Sequence, residues 1–301
     1  MTSAPSTLST AASTATHTVA SSPAAVRRRR RRTGNTFAYV VLSLGAVAMI
    51  FPFVYQTLTS FMTNSQVLSA TPTLWPTEWH FENYAEVFTE VPFASQMVTT
   101  TIYAVCRTAG QVLFCTLAGY AFARMQFRGR DALFGLLLSM MMVPGEILLI
   151  SQYQIVQAFG WLDSLTGLIV PGLVGAFGVF LMRQFFLRMP RELEEAGRLD
   201  GAGPIRIFWQ IMLPLAKPGI SALAVIMLIG TWGELLWPLL ITTRQTSMPV
   251  APSLATFAGQ HTVDYPVMMA ASLISMLPVI IAFMIMQRRV IEGLAFSGVK
   301  G

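Results

Sequence analysis

Charge is what this sequence has least of. Only 11% of its 301 residues are Asp, Glu, Lys or Arg, against 54% that are hydrophobic, whereas an ordinary soluble domain carries about 25% charged residues. That scarcity argues against a water-soluble globular enzyme. Lysine is scarcer still: Lys217 and Lys300 are the only two and neither follows glycine, so a GxxxxGK loop to cradle nucleotide phosphates cannot be built. The two cysteines, Cys106 and Cys115, fall in one apolar stretch at a spacing that sends them to opposite sides of a helix. They cannot bridge each other, which excludes a disulfide scaffold and a cysteine metal site. His17, His80 and His261 are scattered over the N-terminal tail and two loops, so neither a metal cluster nor a catalytic histidine arrangement is suggested. No metal site and no catalytic residue is expected.

What the chain does have is long apolar runs. A bilayer core roughly 30 Å thick takes about 20 mostly apolar helical residues at 1.5 Å each. Six stretches qualify, at about 37–59, 97–122, 132–152, 165–187, 219–242 and 267–287. The expected fold is therefore an all-α membrane protein with six transmembrane helices. Residues 1–26 are mostly Ser, Thr and Ala, with too little apolar surface to offset the entropy of ordering. Together with the arginines that follow they read as a disordered basic tail over 1–36, ahead of a six-span domain over 37–301. The apolar part after the arginine run is too long for a signal peptide, so it is expected to stay as the first span.

The formal charge of +6 comes from one run, Arg27 to Arg32. Directly before an apolar stretch such a run holds a terminus on the cytoplasmic side of a membrane more readily than it binds nucleic acid. The other basic residues agree. Arg124, Arg128 and Arg130 lie between spans two and three; Arg183, Arg188, Arg191, Arg198, Arg206 and Lys217 surround the gap between four and five; Arg288, Arg289 and Lys300 follow span six. With the arginine run these make 18 of the 20 basic residues, and both termini are expected in the cytoplasm. The loop from Ser60 to Gln96 has no basic residue and carries Glu78, Glu82, Glu86 and Glu90. Its Trp75, Trp79, Phe81, Tyr84, Phe88 and Phe93 are expected to pack mainly within the loop.

The segment between spans four and five, about 190–214, is too structured to be a linker. Pro190 suits a first helical position, and Glu192, Glu194 and Glu195 complement the positive end of the helix dipole. Gly201 and Gly203 permit a sharp turn, and Pro204 starts a second short helix with Ile205, Phe208 and Ile211 or Met212 on one face. Glu195-Ala196-Gly197, then Gly201, then Ile211-Met212-Leu213-Pro214 resembles the EAA loop of binding-protein-dependent ABC importer permeases. Gly197 stands where that family usually has a second alanine, a change that weakens a helix by roughly 1 kcal/mol. The resemblance extends over Leu117–Arg124, Phe127–Arg130, Met142–Glu146 and Thr231–Pro238, and looks like the maltose-type carbohydrate permease branch.

That resemblance implies a permease subunit in a bacterial cytoplasmic (inner) membrane, importing a carbohydrate or carbohydrate-like solute. It also implies a second permease subunit, two ATPase subunits that carry the ATP and Mg, an extracytoplasmic substrate-binding protein, and membrane lipid around the spans. The coupling helix would meet the ATPase through Glu195, Ala196, Gly197, Asp200, Gly201, Ile211, Leu213 and Pro214.

Charged residues inside spans are costly and often mark a pathway. Arg107 is read as structural, pairing with a carboxylate or reaching polar groups in the bundle. Glu146, after Pro144-Gly145, either satisfies backbone groups freed by a break or touches solute. Glu234 stands between Trp232 and Trp237, which is either a sugar-holding surface or an aromatic anchor at a span end. Gly172, Gly175 and Gly178 are read as close-packing residues. The rival reading is an ion-coupled secondary carrier using Glu146 and Glu234; another, an adaptor, needs no intramembrane acid.

The charge pattern makes a direct prediction about topology. A reporter active only outside the cytoplasm should be active when fused near Thr77 or Gln260 and silent near Gly129, Gly203 or the C-terminus. Activity at Gly203 would overturn the orientation.

Overall fold

Apolar residues in runs of this length, in surroundings that offer no water, satisfy their backbone by helix formation. Helices are what the computed structural model contains, with no strand among the residues it describes, 23–71, 73–257 and 263–298. The chain divides into two units, up to Val54 and from Tyr55 onward. Helix α1 spans Pro23–Thr59. Short α2 (Asn64–Val67) and α3 (Asn83–Glu90) precede α4 (Phe93–Arg124), an unbroken helix of 32 residues. Then come α5 (Arg130–Met140), a 3-10 turn at Gly145–Leu148, α6 (Leu149–Ala158), α7 (Leu165–Ile169), a 3-10 turn at Val170–Gly172, and α8 (Ala176–Leu187). Next are α9 (Glu192–Leu199), α10 (Pro204–Ile207), a π turn at Phe208–Met212, and α11 (Leu213–Leu215). The chain continues through α12 (Lys217–Trp232), α13 (Leu236–Ile241), α14 (Val250–Phe257) and α15 (Tyr265–Gly298).

Three helices are long and apolar enough to cross a membrane, over Ala38–Thr59, Phe93–Arg124 and Tyr265–Gln287. Three bent pairs qualify when each pair counts as one span, which gives the six expected. The bends are 93° between α5 and the segment from Gly145, 45° between the α7 segment and α8, and 72° between Pro204–Leu215 and α12.

Several expectations shift here. Residues 23–36 were expected in the tail, yet α1 already begins at Pro23; Ala and Arg are good helix formers, and a helix extends readily from a stable apolar segment. Residues 1–22 lie outside those described. Span five does not run to 242: α12 stops at Trp232 and α13 starts at Leu236. Gly233 is a weak helix former, and Pro238 lacks the N–H that would bond the carbonyl of Glu234. Spans three and four break at Pro144 and beside Pro171-Gly172 for the same reason.

The segment after α8 also differs in detail. Helix α9 starts at Glu192, with Pro190 outside it. Pro204 does open the next helix, but Ile205 is 76% exposed while Ile207, Phe208 and Met212 are buried. A π turn replaces the α turn there, and its wider i→i+5 winding brings Ile207 and Met212, five residues apart, to one face. Gly201 adopts φ +75° between the two helices, a conformation that costs other residues about 1–2 kcal/mol.

Three buried clusters share α4. Cys115, Tyr120 and Ala123 of α4 meet Val179, Met182 and Phe186 of α8, with Ile207, Phe208, Met212, Ala216 and Leu223 completing the group. Phe93 at the start of α4 packs with Val87, Val250 and Val267. Tyr103 packs with Val156, Leu168, Trp237 and Ile241. Close approach of α4 and α8 depends on Gly119 and Gly178: a Cβ on Gly119 would lie 2.6 Å from Met182 Cβ, and one on Gly178 2.7 Å from Cys115 Sγ. Of the loop aromatics, Phe61 gathers Trp79, Phe81 and Tyr84 at centroid distances of 5.1–5.3 Å within the loop, whereas Trp75, Phe81 and Phe88 stay more than half exposed and Phe93 packs on Val250 and Val267 outside it.

The turn between α6 and α7 is tied to the segment after α13 by Asp163. Its carboxylate accepts from the Thr243 N–H and hydroxyl, both at 2.6 Å, and from the Arg244 N–H at 2.9 Å. Its own N–H donates to the Ile241 carbonyl at 3.0 Å. Partial burial works to raise its pKa, but the Arg244 and Thr243 donors and the Arg244 charge outweigh that and hold the carboxyl down at about 2. Because the folded value lies below the ordinary 3.8, the clasp contributes fully above pH 3.8 and is lost as pH falls through about 2. Thr243 and Arg244 amides should therefore stay protected from hydrogen exchange down to pH 4. In Asp163→Asn, which turns an NH2 toward donors, protection should fall at every pH; equal protection in the two proteins would sink this account.

Candidate functional site

The breaks in spans three, four and five do not scatter; they converge. Gly145 and Glu146 from the first, Pro171 and Gly172 from the second, and Glu234, Leu235, Leu236 and Trp237 from the third line one cavity of about 370 Å³. Leu149 and Gln152 of α6 add to its wall, and the unbroken α4 supplies Arg107. Non-helical backbone at membrane depth is tolerated where it lines a cavity or is buried in protein, and that is what these residues do.

Arg107 is the centre of the polar wall. Its guanidinium pairs with the Glu234 carboxylate and donates to the Tyr103 hydroxyl. Tyr103 in turn donates to Glu234 at 2.6 Å, and the Arg107 guanidinium lies 5.5 Å from the centroid of its ring. The Arg107 side chain is only 15% exposed and that of Glu234 27%, so each needs the other: an unpaired charge at such depth would be costly. Arg107 Nε, buried, has no hydrogen-bond partner. The space for this side chain comes from Gly172, where a Cβ would lie 2.0 Å from Arg107 Nε. Gly172 thus makes room for a charged group; Gly178 is the one that packs helix against helix.

The four residues picked out as pathway candidates part company. Glu146, Glu234 and Trp237 line the cavity; Trp232 does not. Trp237 is 4% exposed and donates its indole N–H to the Gly167 carbonyl at 3.1 Å. Trp232 turns the other way and donates to the Ser275 carbonyl of α15 at 3.0 Å. The break at Gly233 separates the two rings, so they do not form one aromatic surface around Glu234. Glu146 is exposed at the head of its 3-10 turn. Arg107 pairs with a carboxylate, and the partner is Glu234.

Tyr103 and Gln152 were not singled out from the sequence. A signal existed for the first: Tyr103, Arg107 and Gln111, long polar side chains in a span whose other polar residues are mostly threonines, recur every four residues and so share one face of α4. For Gln152 there was none, because its position depends on the bend at Pro144.

A second group lies on and after α9. Glu195, Ala196, Asp200 and Gly201 are exposed, as is Pro214, while Ile211 and Leu213 are half-buried. Gly197 is buried: a Cβ there would lie 2.8 Å from Ile211 Cδ1 and 3.3 Å from Ile207 Cγ1. Its small size serves the fit of α9 against this chain's own next helix, and an alanine at this position would crowd it.

If Gly172 and Glu234 both act through Arg107, their effects should overlap. Gly172→Ala displaces the guanidinium, and Glu234→Gln leaves it without a counter-ion. Each is expected to lower stability in detergent by about 1–3 kcal/mol, and the double variant by little more than the worse single one. Strict additivity in thermal unfolding would refute a shared route.

Residues 115–295 match the family described as binding-protein-dependent transport system inner membrane component. The chain is 32% identical over 276 residues to the sn-glycerol-3-phosphate transport system permease protein UgpE of Yersinia pestis, covering 89% of this chain and 98% of that one. It is 31% identical over 259 residues to the arabinooligosaccharides transport system permease protein AraQ of Halalkalibacterium halodurans, covering 85% and 93%. Its fold matches a chain in the crystal structure of a bacterial ABC transporter involved in import of the acidic polysaccharide alginate, with TM-score 0.76, 23% identity and coverage of 86% and 97%.

Proposed function

The chain belongs to the binding-protein-dependent transport system inner membrane components, and on that premise we propose that it forms part of the translocation pathway of an ATP-driven importer for a carbohydrate or carbohydrate-like solute. The observation that carries this reading is the cavity where three broken spans meet. Its wall alternates hydrogen-bonding groups, Glu146, Gln152, Arg107 and Glu234, with apolar ones, Leu149, Leu235, Leu236 and Trp237. Hydroxyls need the former and sugar-ring carbons the latter. The names of the relatives, one a glycerol phosphate permease and one an arabinooligosaccharide permease, point to the same polyhydroxylated class.

In this reading both termini lie in the cytoplasm and α9 seats in a cleft of one of two ATPase subunits, which hold ATP and Mg. A second permease subunit completes the conduit, and an extracytoplasmic binding protein delivers solute. Closure of the ATPases displaces α9, the permease interface opens outward, and solute enters the cavity. Glu195 and Asp200, exposed on α9, supply carboxylates to a basic cleft on the ATPase, with Ala196 and Gly201 allowing close approach. Ile211, Leu213 and Pro214 shape the segment behind them, and Gly197 holds α9 against it.

The test is uptake of labelled neutral oligosaccharides into vesicles reconstituted with all partners. Uptake should require ATP, stop with an ATPase-dead partner and survive collapse of the proton gradient. Glu195→Lys should reduce co-purification of the ATPase about tenfold while the chain still inserts. Uptake driven by a proton gradient without ATP and abolished by Glu234→Gln would instead establish an ion-coupled carrier.

A further inference from the structure

Of the three acids that open α9, Glu194 alone is buried; Glu192 and Glu195 are exposed. Its partner is the last residue of α4. Arg124 Nε lies 3.2 Å from Glu194 Oε1, an ion pair in which neither atom makes a hydrogen bond, and the two side chains are 4% and 7% exposed. A terminal nitrogen of the same guanidinium donates to the carbonyls of Phe186, at 2.6 Å, and Met189. The Phe186 carbonyl lies in the last turn of α8 and the Met189 carbonyl two residues beyond it, at the negative end of the helix dipole, which favours a cation. One arginine therefore holds the end of α4, the end of α8 and the first turn of α9.

The surroundings of this junction make it rigid. Tyr120, one turn before Arg124, stacks edge-on against Phe186 at 5.4 Å and meets Phe208 at 4.9 Å. Ala123, Ile207 and Met212 belong to the same buried cluster. Arg198, one turn along α9, approaches Glu194 from the solvent side at 3.8 Å and is itself 65% exposed. A buried ion pair adds little net stability over an apolar packing of similar volume; what it fixes is a single arrangement of the parts. Without it, α9 would be joined to α8 by the four residues 188–191, and to the next segment by the turn at Gly201 and the contact of Gly197 with Ile207 and Ile211.

Arg124 and Arg107 stand on the same unbroken helix, about 25 Å apart at 1.5 Å per residue. A helix without a break transmits displacement along its axis, whereas the α7–α8 span packed along α4 is bent by 45°. We infer that the Arg124–Glu194 junction positions α9 so that it moves as one body with α4 and α8, carrying ATPase-driven displacement to the Arg107–Glu234 wall of the cavity. The inference rests on the reading of α9 as the ATPase contact and assigns Arg124 and Glu194 as positioning residues that touch neither solute nor nucleotide.

The test uses the full complex in vesicles, with labelled neutral oligosaccharide and ATP, and measures solute carried per ATP hydrolysed alongside ATPase co-purification. In Glu194→Gln and Arg124→Gln the ATPase should stay bound and hydrolysis continue, while solute per ATP falls roughly tenfold. Arg124→Lys, which keeps the charge but reaches fewer partners, should fall between these and the unaltered chain. An unchanged ratio, or uptake and hydrolysis falling together, would overturn the inference. So would loss of the chain from the membrane in all three variants, since the junction would then serve folding instead of coupling. Failure of the ATPase to bind the unaltered chain would count against the proposed function and not against this junction.

Discussion

A helix that breaks in an apolar medium exposes carbonyls and N–H groups that nothing around it can satisfy. Much of this structure answers that constraint. Three spans break, at Pro144, beside Pro171-Gly172 and at Gly233, and the breaks lie against one another and against α4, where protein groups reach them. The Trp237 indole donates to the Gly167 carbonyl, and Cys115 Sγ lies 3.5 Å from the Gly175 carbonyl. A single break would have to be filled by side chains; three that face each other leave a polar-walled cavity. The irregular backbone and the cavity are thus one feature, and the prolines and glycines that create it are the residues least suited to a span.

Helix α4 can serve all three breaks because it has none. It contributes to every buried cluster, and it carries two arginines whose surroundings set different tasks. Arg107 meets Glu234 beside an open cavity, where a charge that is neutralised but still 15% exposed can face a passing solute. Arg124 meets Glu194 with both side chains under 10% exposed, away from that cavity. The same chemistry therefore gives a lining at one place and a fastening at the other, and burial decides which.

The helical class, the six spans and the helix–turn–helix after span four were legible because each rests on short-range signals: apolar runs of fixed length, Pro204 at a helix start, Gly201 at a turn. What was not legible depends on pairs distant in sequence. Arg107 and Glu234 are each visible as charges in apolar runs, but that they meet follows from the packing of α4 beside the break after α12, 127 residues on. Trp232 and Trp237 look like a matched pair until Gly233 interrupts the helix and sends them to Ser275 and Gly167. Ile205 looked buried by α-helical spacing, and the π turn that exposes it has no short-range signature of its own. Gly172 and Gly178 are indistinguishable in sequence; only their neighbours, Arg107 and Cys115, separate them.

Adjacent positions on a helix point about 100° apart, and the first turn of α9 uses this to divide its acids. Glu194 turns inward to Arg124, and Glu195 turns outward. The outward side continues with Leu199, 89% exposed, Ile205, 76%, and Trp209, 50%, apolar residues whose exposure beside charged ones suits a protein partner better than water. The inward side continues with Gly197 on Ile207 and Ile211. On the proposed reading, a short helix that meets the ATPase on one face and is fastened to two spans on the other can pass a displacement inward only if the inner face holds more firmly than the outer one is pushed. The buried ion pair and the glycine contact supply that hold, which explains why so short and exposed a helix carries its least solvated charge toward the membrane-spanning part of the chain.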